Sequence, residues 1–167
     1  IIVSRSKDVL IEGLTIRNSA FWTVDLIYSE DIDVSHLTIR NYHDELWSPS
    51  TDGIDIDSSR FVRVHHCDID CHDDCIVLKS GTSADGERAG IPTENVLVHD
   101  CVSRHGDSLV ACGTDTAAGI RNLTVRDCRA VGTKHGIRIK SRSDRGGSVE
   151  NVYCENITMT EIGRAHV

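Results

Sequence analysis

Apolar and polar residues alternate in short runs along the chain, and the runs recur. Six segments align without gaps: DVLIEGLTI from Asp8, DIDVSHLTI from Asp31, FVRVHHCDI from Phe61, NVLVHDCVS from Asn95, NLTVRDCRA from Asn122 and NVYCENITM from Asn151. Their starts lie 23, 30, 34, 27 and 29 residues apart. Alternation over four or five residues is the period of a half-buried strand. Stacked, the segments give apolar columns. One holds Val9, Ile32, Val62, Val96, Leu123 and Val152; a second holds Ile11, Val34, Val64, Val98, Val125 and Cys154; a third holds Leu14, Leu37, Cys67, Cys101, Cys128 and Ile157.

A second strand family lies between these segments. TDGIDIDS, DDCIVLKS, GDSLVACG and HGIRIKS align on Ile54, Ile76, Leu109 and Ile137, and again on Ile56, Leu78, Ala111 and Ile139. TVDLIY from Thr23 is a weaker match. No helical period of useful length separates the strands. Recurring strands with aligned apolar columns predict an all-β chain, a parallel β-helix of about six coils. A β-sandwich would need two-residue hairpin turns between strands, and the nearest case, Asp52-Gly53, opens a strand instead.

Composition narrows the function. The 167 residues are 39% apolar and 26% charged, which suits a folded domain. No apolar run is long enough for a membrane helix, so no membrane partner is expected. A formal charge of −8 argues against nucleic acid as a general partner, since that task needs a basic face. Cys67, Cys71 and Cys75 with His72 invite a zinc reading, but paired C-x-x-C is absent. The cysteines in the columns read as small interior hydrophobes, and no metal or cofactor is expected.

Polar residues break the columns in one region. Aligning the second family places Asp52, Asp74, Asp107 and His135 together. The preceding column holds Thr51, Asp73, Gly106 and Lys134, and the one before it Ser50, His72, His105 and Thr133. Stacked strands lie about 4.8 Å apart, so the carboxylates of Asp52, Asp73 and Asp74 should crowd. Like charges that close raise at least one pKa. Arg138 and Lys140 follow the column and supply positive charge. A catalytic carboxylate set, a calcium site and a solvated acidic ladder all fit this pattern.

At these residues the chain resembles a known family. STDGIDIDSS, CDIDCHDDCIVLKSG, SRHG and GIRIKS resemble, in order, the N-T-D, D-D, G-H-G and R-I-K blocks of polygalacturonases, glycoside hydrolase family 28. The resemblance runs from about Phe21 to Met159. It implies a right-handed, single-stranded, pectin-lyase-like solenoid and inverting hydrolysis of α-1,4-galacturonosyl linkages in pectin. It implies Asp73 as general acid, with Asp52 and Asp74 holding and deprotonating the attacking water. An inverting pair usually stands about 6.5–9.5 Å apart to admit that water. His105 would support the acid. Arg138 and Lys140 would bind the substrate carboxylate, with Arg104 and Lys79 as further basic residues near the cleft. The implied partner is an acidic plant cell-wall polysaccharide, met outside the cell or in the periplasm by a monomer. Cys75 and Cys101 match positions that are bridged in some secreted members.

The chain departs from the family at Ser50, where Asn is usual, and at Arg104, where Gly is usual. A calcium-assisted lyase and a non-catalytic pectin-binding β-helix are the rival readings. Residues 1–160 read as a fragment of the β-helix domain. The last seven, EIGRAHV from Glu161, are similar to the translation of a common sequencing adapter and read as a non-native tail.

Overall fold

The computed structural model describes residues 1–42 and 48–163. Eighteen strands wind into six coils among these residues. The first coil comprises β1 (Ile2–Ser4), β2 (Lys7–Glu12) and β3 (Thr15–Arg17), and the second β4 (Val24–Ile27), β5 (Glu30–Ser35) and β6 (Thr38–Arg40). The third comprises β7 (Ile54–Asp57), β8 (Arg60–His65) and β9 (Asp68–Asp70), and the fourth β10 (Ile76–Lys79), β11 (Thr93–His99) and β12 (Val102–Arg104). The fifth comprises β13 (Ser108–Cys112), β14 (Ile120–Arg126) and β15 (Arg129–Val131), and the sixth β16 (His135–Ile139), β17 (Val149–Glu155) and β18 (Thr158–Thr160). Each coil gives one strand to each of three parallel six-stranded sheets, and the whole is a right-handed β-helix. The sheets are called first, second and third in the order in which a coil visits them.

The second sheet has the register that the apolar columns predict. Val9, Ile32, Val62, Val96, Leu123 and Val152 pair rung to rung, and so do Ile11, Val34, Val64, Val98, Val125 and Cys154. All of these but Cys154, which is exposed in the sixth coil, pack into one core along the axis. The third column sits at the corner between the second and third sheets. Its carbonyls accept rung bonds in turn, Leu14 from Thr38 and Leu37 from Asp68.

Each segment that reads as one strand is in fact two. A residue of positive φ bends the chain between them: Gly13, His36, His66, Asp100, Asp127 and Asn156. A second such column, Asp8, Asp31, Phe61, Asn95, Asn122 and Asn151, kinks the entry to the second sheet. Asn and Asp visit the left-handed region at lower cost than most residues. Their side chains also stack: the Asn122 amide donates to Asn95 at 3.1 Å, and that of Asn151 to Asn122 at 3.0 Å.

The register of the first sheet and the absence of helix both need correction. Within the first sheet Ile76 pairs with Val110, not with Leu109, and Leu78 pairs with Cys112, not with Ala111. At the preceding turn the Asp107 amide still donates to the Asp73 carbonyl, while that of Cys75 donates to Ser108. One extra residue of the fifth coil is absorbed between these bonds, as in a bulge. The alignment therefore holds at the turn and slips by one inside the strand. The second correction is a short helix, α1 (Ser83–Ala89), where no helix was expected; Gly90 closes it in the left-handed conformation.

The seven cysteines are free. Cys75 lies 3.5 Å from Cys71, sulfur to sulfur, while the Cys101 amide lies 3.4 Å from the Cys128 sulfur, so the implied Cys75–Cys101 bridge is not formed. His72 stacks on Tyr42 rather than joining a thiolate cluster. Ile162, in the segment that reads as a tail, rests against the core; residues 164–167 lie outside the described residues. Among the described residues no helix is long and apolar enough to cross a membrane.

Gly53 marks the tightest rung. A methyl there would meet the Cys75 carbonyl oxygen inside contact distance and Ile69 at 2.6 Å. A methyl on Gly13 meets nothing within 4 Å, though φ there is positive. Gly53→Ala should therefore cost about 1–3 kcal/mol and more than Gly13→Ala, by urea unfolding. Equal costs would contradict the close-packed rung.

Candidate active site

The turns that lead from the third sheet to the first carry four of the expected site residues. Asp52 precedes β7, Asp73 and Asp74 precede β10, and His105 precedes β13. Rung bonding stacks these turns: the Gly53 amide donates to the Asp74 carbonyl at 3.0 Å, and that of Asp107 to Asp73 at 2.8 Å. Asp52, Asp73 and Asp74 each bring a carboxylate oxygen to within 4.8 Å of the others. Asp52 and Asp74 are buried, and Asp73 is partly exposed. The three are thus closer than the spacing expected of an inverting pair.

Two lysines compensate this charge. Lys79, on the outer face at the end of β10, reaches back to Asp55 and lies 3.5 Å from Asp52. Its ammonium also sits 4.2 Å from the Trp22 ring centroid, a cation–π contact. Lys140, just past β16, binds Asp74 Oδ2 at 2.6 Å. The other oxygen, Asp74 Oδ1, is buried with no hydrogen-bond partner among the described residues. The Asp73 carboxylate accepts the Asp74 amide at 2.9 Å, which fixes one of its oxygens.

Burial pushes the Asp52 carboxyl up to about 6; Lys79 opposes the rise, and the charges of Asp73 and Asp74 add to it. Burial likewise raises Asp55, to about 8, against the pull of Lys79. Lys79 is itself held above its ordinary value: desolvation works against its charge, but Asp55 and Asp52 outweigh that. A carboxyl that titrates near neutrality within a carboxylate cluster is a feature of acid–base sites.

The remaining expected residues stand further out. His105 hydrogen-bonds to Asp70 through Nδ1 at 2.9 Å and stacks on Tyr42 at 4.1 Å. Arg138, on the outer face of β16, points at Asp107, 3.5 Å away. The Arg104 guanidinium forks onto Asp68 of the third sheet at 2.8 and 3.0 Å. The structure thus groups Asp52, Asp73, Asp74, Lys79 and Lys140, and gives His105, Arg138 and Arg104 acidic partners of their own.

Sequence reasoning missed Asp55, Trp22 and Tyr42. Asp55 had a signal: in the IDID of β7 it is the polar alternate, facing outward beside the cluster. Trp22 and Tyr42 lie in irregular segments, where no column places them.

Comparison with known proteins follows the same lines. A sequence profile of glycosyl hydrolases family 28 matches residues 1–167. A probable polygalacturonase of Vitis vinifera is 35% identical over 156 residues, covering 92% of this chain and 31% of that relative. An exopolygalacturonase from Thermotoga maritima superposes with a TM-score of 0.83 at 30% identity, over 95% of this chain and 38% of the other. A polygalacturonase from Erwinia carotovora gives a TM-score of 0.86 at 25% identity, over 96% and 40%. The chain spans less than half the length of each.

The raised carboxyls set a pH dependence of stability. The fold binds the protons of Asp52 and Asp55 more tightly than the unfolded chain does. Their contribution is complete below the unfolded value of 3.8 and is lost as pH rises through about 6 and about 8. Asp55→Asn keeps the neutral form at every pH. Its melting temperature should exceed the parent's by a margin that is small at pH 5 and wide at pH 9. A constant offset across that range would contradict the raised value.

Proposed function

The chain belongs to glycosyl hydrolases family 28, and from that premise we propose that its site hydrolyses α-1,4-galacturonosyl linkages in pectin or polygalacturonate. The observation that carries this reading is the carboxylate trio, held within 4.8 Å and flanked by two lysines. Hydrolysis of a glycosidic bond needs a proton donor to the leaving oxygen and a carboxylate to activate water. The names of the relatives, polygalacturonase and exopolygalacturonase, point to a galacturonan substrate.

In this reading Asp73, the most open of the three, is the general acid. It gives its proton to the leaving glycosidic oxygen as the bond to the anomeric carbon breaks. Water lies against Asp52 and Asp74 and attacks that carbon from the opposite face. Its proton passes to one of these carboxylates. Lys140 neutralises Asp74 from the other side and, with Arg138, offers charge to a uronate carboxylate. Lys79 keeps Asp52 from rising further. His105, gripped by Asp70 and Tyr42, stands at the turn above the acid. Attack from the far face inverts the anomeric centre. A polymeric substrate of plant cell walls is met outside the cell, so extracellular action is part of the proposal.

The lyase reading would place a calcium ion on the same trio, which has the oxygen donors for it. Lys79 and Lys140 already hold Asp52 and Asp74, and two ammonium groups repel a divalent cation there. The geometry therefore favours hydrolysis.

Reducing-end release from polygalacturonate tests this directly. The chain should release reducing ends, resist chelator and form no unsaturated product. Asp73→Asn should lower turnover by at least about 100-fold, the usual scale for a lost acid. Full activity in the variant, or an unsaturated product, would overturn the assignment.

A further inference from the structure

A histidine cluster lies at a different corner of the coils, where the second sheet turns into the third. Two adjacent columns build it. His65 and His99 occupy one rung position, the last of β8 and of β11. His36, His66 and Asp100 occupy the next, all with φ near +54°. Successive side chains of a strand point to opposite faces. The left-handed residue breaks that alternation, so His65 and His66, and likewise His99 and Asp100, project from the same corner.

The rings then stack along the axis. His65 and His99 lie 4.9 Å apart with planes at 1°, and His36 and His66 lie 5.0 Å apart at 13°. The Nδ1 atoms of His65 and His66 are 2.8 Å apart. His99 Nδ1 lies 2.7 Å from Asp100 Oδ2. His66, His99 and Asp100 each offer a donor atom, and the three lie within 4.8 Å of one another. His65 Nε2 faces Asp33 at 3.0 Å, and Arg63 braces that same carboxylate.

We propose that His66, His99 and Asp100, with His65 beside them, bind a divalent transition-metal ion of the Zn2+ class. Imidazole nitrogen and carboxylate oxygen suit this class, with bonds of about 2.0–2.2 Å. A tetrahedral site of that size sets its donors about 3.4 Å apart. Small side-chain rotations bring the three donors from their present spacing to that distance. The contact of His65 Nε2 with Asp33 leaves Nδ1 turned toward His66. A carboxylate holding the far nitrogen is the support that ligating histidines usually have. The side chains of His65 and His99 are only 15% and 13% exposed, whereas His66 and Asp100 are open to solvent. The site is thus held from within and reached from without. It involves none of the residues assigned to hydrolysis.

Calorimetric titration of the chain with zinc chloride in a non-coordinating buffer tests the site. One equivalent should bind with a micromolar or lower dissociation constant. The double variant His66→Ala/His99→Ala should bind at least tenfold more weakly, with its metal-free melting temperature unchanged. Asp52→Asn should bind as the parent does. If the double variant fails to fold, His66→Gln, at an exposed position, should show the same loss. No binding to the parent would overturn the proposal. So would binding that survives the histidine variants, which would put the ion on the carboxylate trio or on Cys154.

Discussion

The hydrogen-bond ladder between successive coils is the constraint on which the rest depends. It holds each residue about 4.8 Å from its counterpart in the next coil, with little freedom to slide. The same rule therefore acts on every kind of side chain. Apolar columns become a continuous core, asparagines become an amide ladder, and histidines become stacked rings. At the turns into the first sheet it brings Asp52, Asp73 and Asp74 together whatever their charges prefer.

Such crowding persists only with compensation. Lys79, at the end of β10, and Lys140, just past β16, provide it, each reaching back toward the turns. The compensation is incomplete: burial still holds Asp52 near 6 and Asp55 near 8. The resulting site contains a carboxyl that titrates near neutrality, a buried ion pair and a partly exposed acid. Most of the backbone around it is locked by rungs, so the geometry is set before substrate arrives. That is the preorganisation that electrostatic catalysis requires.

Much of this was legible in the sequence. Two inward columns of the second sheet appeared in their true register, because alternation of period two survives any change of coil length. The carboxylate trio was legible because turns before equivalent strands align with it. What was hidden has physical reasons. The corner between the second and third sheets rests on single residues of positive φ, and His36, Asp100 or Gly13 give no common letter for it. Leu109 and Val110 are both buried and apolar, so the pattern could not choose between them, and the extra residue near Asp107 went unseen. Trp22 and Tyr42 reach their places through irregular chain. The partners of Arg104 and His105 depend on side-chain reach across coils, which columns of letters do not carry.

The closeness of the carboxylates makes stereochemistry the sharpest question. Oxygen atoms within 4.8 Å of one another lie nearer than inverting pairs usually do, while the roles proposed for Asp73, Asp52 and Asp74 require inversion. Proton NMR of the anomeric signals during the first minutes of polygalacturonate cleavage decides between them. The account predicts that the β-anomer of the new reducing end appears first and mutarotates afterwards. An α-anomer as the first product would mean that one carboxylate acts as a nucleophile, and would contradict the roles given to Asp52 and Asp74.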